Sequence, residues 1–212
     1  RKVAVRLRSA LRASDVVAAV GVDSFAVLLA WIDNASDGER VYCFFGKTGV
    51  VAFDLDGKQL WQTSVGTGSA TSGWGTGASP IVHGDLFIVN ASAESGTLRA
   101  LNTKTGKEMW SAGAGATGFT MSGGPIVAKG KVIFGTRGPK PVIVALDAKT
   151  GKEAWRFNPI PKPGEPNYDT WNNMPYEART GGTIWTPGSY DKETNLVFFG
   201  PAPTYDTRPL RD

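Results

Sequence analysis

The chain has 212 residues, 27 of them glycine, with 20% charged side chains and a formal net charge of +4. That length supports one domain or slightly more, and high glycine with modest charge suits a turn-rich β protein. A single cysteine, Cys43, excludes an internal disulfide and a cysteine-based zinc cluster. A single histidine, His83, argues against a His-rich metal site or a His-centred triad, and its place before Gly84-Asp85 reads as an exposed turn. No apolar run reaches the roughly 18 residues of a membrane span. Arg1, Lys2, Arg6, Arg8 and Arg12 supply five positive charges before any acid appears. The basic balance is therefore local to the N-terminus. A basic groove with interleaved aromatics is missing, so no nucleic-acid partner is expected.

The first segment, residues 1–34, stands apart from the rest. Val3, Val5, Leu7 and Leu11, with Ala4 and Ala10, predict a short amphipathic helix with an arginine-rich opposite face, ended by Ser14-Asp15. Val16 to Val20 and Phe25 to Leu29, on either side of Gly21-Val-Asp-Ser24, predict a hairpin. The apolar stretch Val16 to Trp31 is interrupted by Asp23 and Ser24 and does not read as a signal peptide. Ala10 to Leu29 resembles the signature region of diguanylate cyclases, with Gly21-Val22-Asp23-Ser24-Phe25 in place of that family's Gly-Gly-Asp-Glu-Phe (GGDEF). Val22 puts a branched side chain where close backbone approach is needed, and Ser24 lacks the carboxylate. The resemblance therefore implies a structural helix and hairpin, joined through Ala35-Ser-Asp-Gly-Glu39 to the remainder of the chain.

Three later stretches end alike. Val51-Ala-Phe-Asp-Leu-Asp-Gly-Lys-Gln-Leu-Trp61 is the first, Leu98 to Trp110 the second, and Val142 to Trp155 the third. The tryptophans lie 49 and then 45 residues apart, the period of a propeller blade array. Asp147-Ala-Lys-Thr-Gly151 sits between apolar runs and predicts a bulged hairpin. Asp can accept from backbone N–H groups two residues on, and Gly supplies a left-handed conformation. Asn102 to Gly106 repeats this chemistry, and Asp54-Leu-Asp-Gly57 shortens it. Each closing Trp is expected to dock one blade on its neighbour through its area and its single N–H.

Each of these stretches is read as preceded by another strand pair, as in Pro80 to Val89 around Gly84-Asp85 and Pro125 to Phe134 around Lys129-Gly130. One unit therefore has four antiparallel strands. The expected fold is all-β: a partial β-propeller of about four four-stranded blades over residues 36–212, behind a small helix plus hairpin. An open array leaves exposed edges, so association of the chain with itself to complete a ring is an expectation.

Ala145-Leu-Asp-Ala-Lys-Thr-Gly-Lys-Glu-Ala-Trp-Arg-Phe157 resembles the repeat of quinoprotein propellers, which hold pyrroloquinoline quinone (PQQ). Pro161 to Pro166, Gly181-Gly-Thr-Ile-Trp185 and Ser189 to Gly200 are similar to the PQQ-dependent methanol and ethanol dehydrogenases. Residues 36–112 look like propeller repeats without a dehydrogenase site, and 113–212 like the dehydrogenase half. The chain reads as a mosaic or a truncated piece.

The resemblance implies PQQ and Ca²⁺ on the propeller axis, an alcohol as substrate, and a periplasmic or secreted location. It implies that Trp185 stacks on the cofactor, that Thr183 lies in the same cofactor-binding motif, and that Ser122 hydrogen-bonds the cofactor. The departures concern the metal. The family places a Glu ligand in the loop that here reads Gly135-Thr-Arg-Gly-Pro139-Lys140, and an Asn ligand where Pro201-Ala-Pro203-Thr204 stands. Ca²⁺ takes several oxygen ligands, and neither Pro139, Lys140 nor Pro203 has a carboxylate or amide to give. The family's adjacent cysteines are absent, and Asp206, the nearest carboxylate to the expected catalytic position, reads as a turn residue. No metal ligands and no catalytic residue are therefore assigned. The Pro-rich stretch 158–176, with Glu165, Tyr168, Trp171 and Tyr176, reads as a self-packed surface loop or a cover over one face. Two functions stand: a quinoprotein alcohol dehydrogenase-like propeller with an impaired metal site, or a non-catalytic scaffold with an empty axis.

Overall fold

A computed structural model describes residues 16–19, 25–28, 36–69, 78–113, 121 and 123–202. The helix expected over residues 3–11 lies outside these, as do Ser122, Pro203, Thr204 and Asp206. The head hairpin is present. Strands β1 (Val16–Ala19) and β2 (Phe25–Leu28) pair antiparallel with Val16 opposite Leu28.

Four further sheets follow in chain order, each a simple meander. The first has β3 (Arg40–Phe44), β4 (Val50–Asp54) and β5 (Gln59–Thr63). The second has β6 (Ile81–His83), β7 (Leu86–Ala91), β8 (Thr97–Asn102) and β9 (Glu108–Gly113). The third has β10 (Ile126–Ala128), β11 (Lys131–Gly135), β12 (Ile143–Asp147) and β13 (Glu153–Phe157). The last described pair is β14 (Ser189–Asp191) and β15 (Leu196–Phe198). The partial propeller is thus confirmed, with two blades complete at four strands among the described residues. The first sheet has three. Directly before Arg40, residues 36–39 hold only an isolated bridge, Ser36 with Val41, and no further strand pair. Instead Asp37 closes a tight turn, its Oδ1 accepting the Glu39 and Arg40 N–H groups at 3.0 and 2.7 Å.

The sheets stack face to face because alternate side chains of a strand point to opposite faces. In β7, Phe87 and Val89 face the first sheet, meeting Tyr42, Val50 and Ala52. Ile88, on the other face, joins Leu98 and Trp110 against Val132, Phe134 and Val144 of the third sheet. Ile133, Ala145 and Trp155 in turn pack against Tyr190, Val197 and Phe199. A middle sheet is buried on both faces, so its strands read as continuous apolar runs rather than alternating ones.

The repeated turns carry the expected chemistry. Asp147 Oδ1 accepts the N–H of Lys149 (3.1 Å), the N–H of Thr150 (2.9 Å) and the Thr150 hydroxyl (2.9 Å). Asn102 Oδ1 does the same for Lys104 and Thr105, all at 3.0 Å. Asp54 Oδ1 takes the N–H of Asp56 and Lys58 in the shorter version. Each hairpin carries a β-bulge, at Ala52/Phe53, Ala100/Leu101 and Ala145/Leu146. The closing tryptophans dock across sheets: Trp61 Nε1 donates to the Thr103 carbonyl at 2.9 Å, and Trp110 Nε1 to that of Ala148 at 2.8 Å.

Candidate functional site on the axial end

The first strands of successive blades, β6, β10 and β14, lie side by side, as the inner strands of a propeller do. The segment leading into each one therefore reaches the same end of the array: Ala78–Pro80 before β6, Gly123–Pro125 before β10, and Trp185–Gly188 before β14. These segments touch through glycines. A Cβ on Gly124 would sit 2.7 Å from the Ser79 carbonyl oxygen, and one on Gly123 would meet Trp185 O and Thr186 C at 3.1 Å. Any larger residue at 124 would push the two loops apart. Asn90 Nδ2 holds the Gly123 carbonyl at 3.0 Å, and Ser92 Oγ holds that of Met121 at 2.5 Å.

Trp185 is set into this end by its neighbours. Ile184 is buried against Gly135, where a Cβ would lie 2.1 Å from Ile184 Cγ2, so only glycine fits. The Ile184 N–H donates to the Thr136 carbonyl at 3.1 Å, and the Thr183 carbonyl accepts from Ala202 N at 2.8 Å. Trp185 follows with 57% of its surface exposed, unlike the docking Trp110 at 7%. The motif thus separates an anchoring residue, Ile184, from an indole left open to solvent.

Thr183 serves this segment through its backbone carbonyl. Ser122 lies outside the described residues, next to Gly123. His83 is exposed in its turn, as expected.

Lys140 does something the sequence did not indicate. Its ammonium donates to the carbonyl oxygens of Tyr176 (2.5 Å) and Arg179, and lies 4.4 Å from the Tyr176 ring centre. Burial lowers its pKa, Glu177 opposes that shift, and Arg179 adds to it. The insertion is self-packed. Arg179 is buried, its guanidinium 3.9 Å from the Tyr168 ring and 5.4 Å from that of Trp171, with Nε donating to the Met174 carbonyl at 3.0 Å. Glu165 caps the start of the insertion, accepting from Lys162 N at 2.7 Å and Asn158 Nδ2 at 2.8 Å. The insertion's three aromatic rings are therefore occupied by the chain's own cations.

The donor set decides what this end can hold. Among the described residues there is no cluster of three His, Cys, Asp or Glu side chains suited to a metal ion, and the loop in which the resemblance expects a carboxylate presents the Lys140 ammonium. The described residues do not fit a Ca²⁺ site. An open indole beside glycine-lined backbone does fit a planar ring, which aromatic side chains bind by offset stacking.

Comparison with known proteins agrees with this architecture. The family described as glucose/ethanol/alcohol dehydrogenase, beta-propeller domain, matches residues 114–208. A second, described as outer membrane protein assembly factor BamB, matches residues 30–118. The two meet where the sequence changes character near residue 113. No curated protein sequence matches the chain. Among solved structures, the quinohemoprotein alcohol dehydrogenase ADHIIG from Pseudomonas putida HK5 is 27% identical with a TM-score of 0.61, covering 76% of this chain and 27% of its own. The quinohemoprotein alcohol dehydrogenase from Comamonas testosteroni is 26% identical with a TM-score of 0.57, covering 80% of this chain and 30% of its own. A europium-containing methanol dehydrogenase shares the fold at 23% identity and a TM-score of 0.63, covering 78% of this chain and 34% of its own. The chain spans about a third or less of the length of these proteins.

Proposed function

Because the chain forms part of a PQQ-type β-propeller, we propose that its axial end is a stacking platform for a planar quinone, with Trp185 as the contact face. The observation that carries this reading is the exposed indole of Trp185, set apart from the buried docking Trp110 and the half-buried Trp61 and Trp155, and preceded by the Ile184–Thr136 hydrogen bond. A quinone bound there would supply a two-electron acceptor for oxidation of an alcohol, in line with the activity named for the two Pseudomonas and Comamonas relatives. This chain's own part is to orient the ring against Trp185 and to keep backbone, rather than side chains, around it at Gly123. Among the described residues no side-chain cluster suits a divalent metal, and the reading assigns none to this end.

A non-catalytic scaffold is the second reading, and Lys140 in place of a carboxylate is the observation that favours it. A periplasmic or secreted setting belongs to the proposal. No helix among the described residues is long and apolar enough to cross a membrane.

Titration of PQQ into the full chain, followed by quenching of tryptophan fluorescence, tests the platform. Loss of one stacking contact worth about 1.4 kcal/mol should weaken binding of Trp185→Ala roughly tenfold. Equal affinity in both proteins would remove the platform; no binding to either would favour the scaffold.

A further inference from the structure

The stretch between β13 and Trp185 contains no strand, only two short helical turns at Tyr168–Trp171 and Tyr176–Ala178. A loop of that length keeps one conformation only if something packs it. Its centre is Arg179, a residue only 1% exposed. A buried cation is costly unless it is compensated. Here the compensation comes from the faces of Tyr168 and Trp171 and from the Met174 carbonyl, while Nη1 has no hydrogen-bond partner. The centre of the insertion is thus only partly satisfied, and its hold on the propeller depends on contacts at its edge.

That edge is bracketed by one loop. The β11–β12 connection supplies Thr136, whose carbonyl takes the Ile184 N–H. The same loop supplies Lys140, whose ammonium takes the carbonyls of Tyr176 and Arg179. Between the two anchor points lie Gly181 and Gly182, both in the left-handed region at φ 106 and 66. Two adjacent glycines are a pliable joint. Pro141 of that loop lies against Gly182, and on the N-terminal side of the joint Lys140 is the loop residue that hydrogen-bonds the insertion among the described residues.

We propose that Lys140 is a positioning residue for Trp185: it clamps the Tyr176 and Arg179 carbonyls to the β11–β12 loop and so fixes the indole across the Gly181–Gly182 joint. The cation at this place works as a tethered fastener rather than as a defect in a metal site. Restoring a carboxylate with Lys140→Glu would put an acceptor against two acceptors. It would release the clamp instead of building a Ca²⁺ site. The functional meaning of this role rests on the platform reading of Trp185, but the clamp itself can be read without any ligand.

The full chain labelled with 5-fluorotryptophan provides that reading. The chain has seven tryptophans, and Trp185→Phe assigns the Trp185 fluorine resonance by its disappearance. In Lys140→Met and Lys140→Glu the Trp185 resonance should move or split while those of Trp61 and Trp110 stay in place. Lys140→Arg, which keeps a charged donor, should return it toward its original position. PQQ affinity, where PQQ binds, should fall with the same order of variants. If Lys140→Met does not fold, Lys140→Gln is read in the same way. An unmoved Trp185 resonance in a folded Met, Glu or Gln variant overturns the clamp. Absence of PQQ binding with a displaced resonance overturns the platform and leaves the clamp standing.

Discussion

The indole Nε1 of Trp110 donates to the carbonyl oxygen of Ala148 at 2.8 Å, and the same indole lies over Gly151, where a Cβ would come within 2.8 Å of its ring. The relation recurs one blade earlier, with Trp61 on Thr103 at 2.9 Å and over Gly106. The closing Trp of one repeat and the turn Gly of the next are thus one contact. Each blade carries half of the joint to the blade before it and half of the joint to the blade after it.

Trp110→Ala should therefore cost about 3–5 kcal/mol, as large-to-small changes at buried aromatics do. Trp185→Ala should cost within about 0.5 kcal/mol, the range of surface substitutions. Thermal or urea unfolding checks both. Equal losses at the two positions would mean that Trp185 is another docking residue.

Gly151→Ala should lose more stability than Gly130→Ala. Both residues have left-handed φ, 69 and 70, so both pay about 1–2 kcal/mol for a side chain there. Gly130 opens to free space, whereas Gly151 meets the Trp110 ring. The second cost, overpacking, adds about 1–3 kcal/mol. Equal unfolding midpoints for the two variants would show that the Trp–Gly contact is loose.

Alkaline stability should decline in a window set by Tyr42. Burial, followed by its hydrogen bond to Asp37 at 2.7 Å, pushes the Tyr42 phenol up from 10.0 to about 12. The folded phenol keeps its proton where the unfolded one has lost it. Stability is then full below pH 10 and falls as pH rises toward about 12. Denaturant melts of the parent and of Tyr42→Phe across that range should show a shallower decline in the variant. Parallel declines would assign the alkaline loss to other groups.

Cys43 should resist alkylation while the protein is folded. Burial pushes its thiol from 9.0 to about 11, and the thiolate is the reactive form. Iodoacetamide at pH 8 should label it slowly in buffer and quickly in denaturant; equal rates would mean that the first sheet opens readily.

What could be read from the sequence followed from local rules. The Asp147 and Asn102 turns, the two-residue turn at Lys129-Gly130, with both residues at positive φ (43 and 70), and the head hairpin all depend on residues within a few positions of one another. The docking role of Trp110 could be inferred because a large residue recurring once per blade must meet something periodic. The role of Gly151 beneath it was only half legible, since the turn requires glycine for φ alone. Lys140 was misleading. Read by position it displaces a metal ligand, but its carbonyl partners lie 36 and 39 residues away, and no local pattern encodes them. Arg179 was missed for the same reason: its cage of Tyr168 and Trp171 exists only once the insertion has folded back.

Calorimetric titration of PQQ into the full chain, once with Ca²⁺ and once with a chelator, tests the central claim most directly. A stacking platform without metal ligands predicts the same affinity in both, and no binding of Ca²⁺ alone tighter than about 10⁻⁵ M. Tenfold or greater tightening of PQQ binding by Ca²⁺, or a Ca²⁺ isotherm in that tighter range, would contradict it.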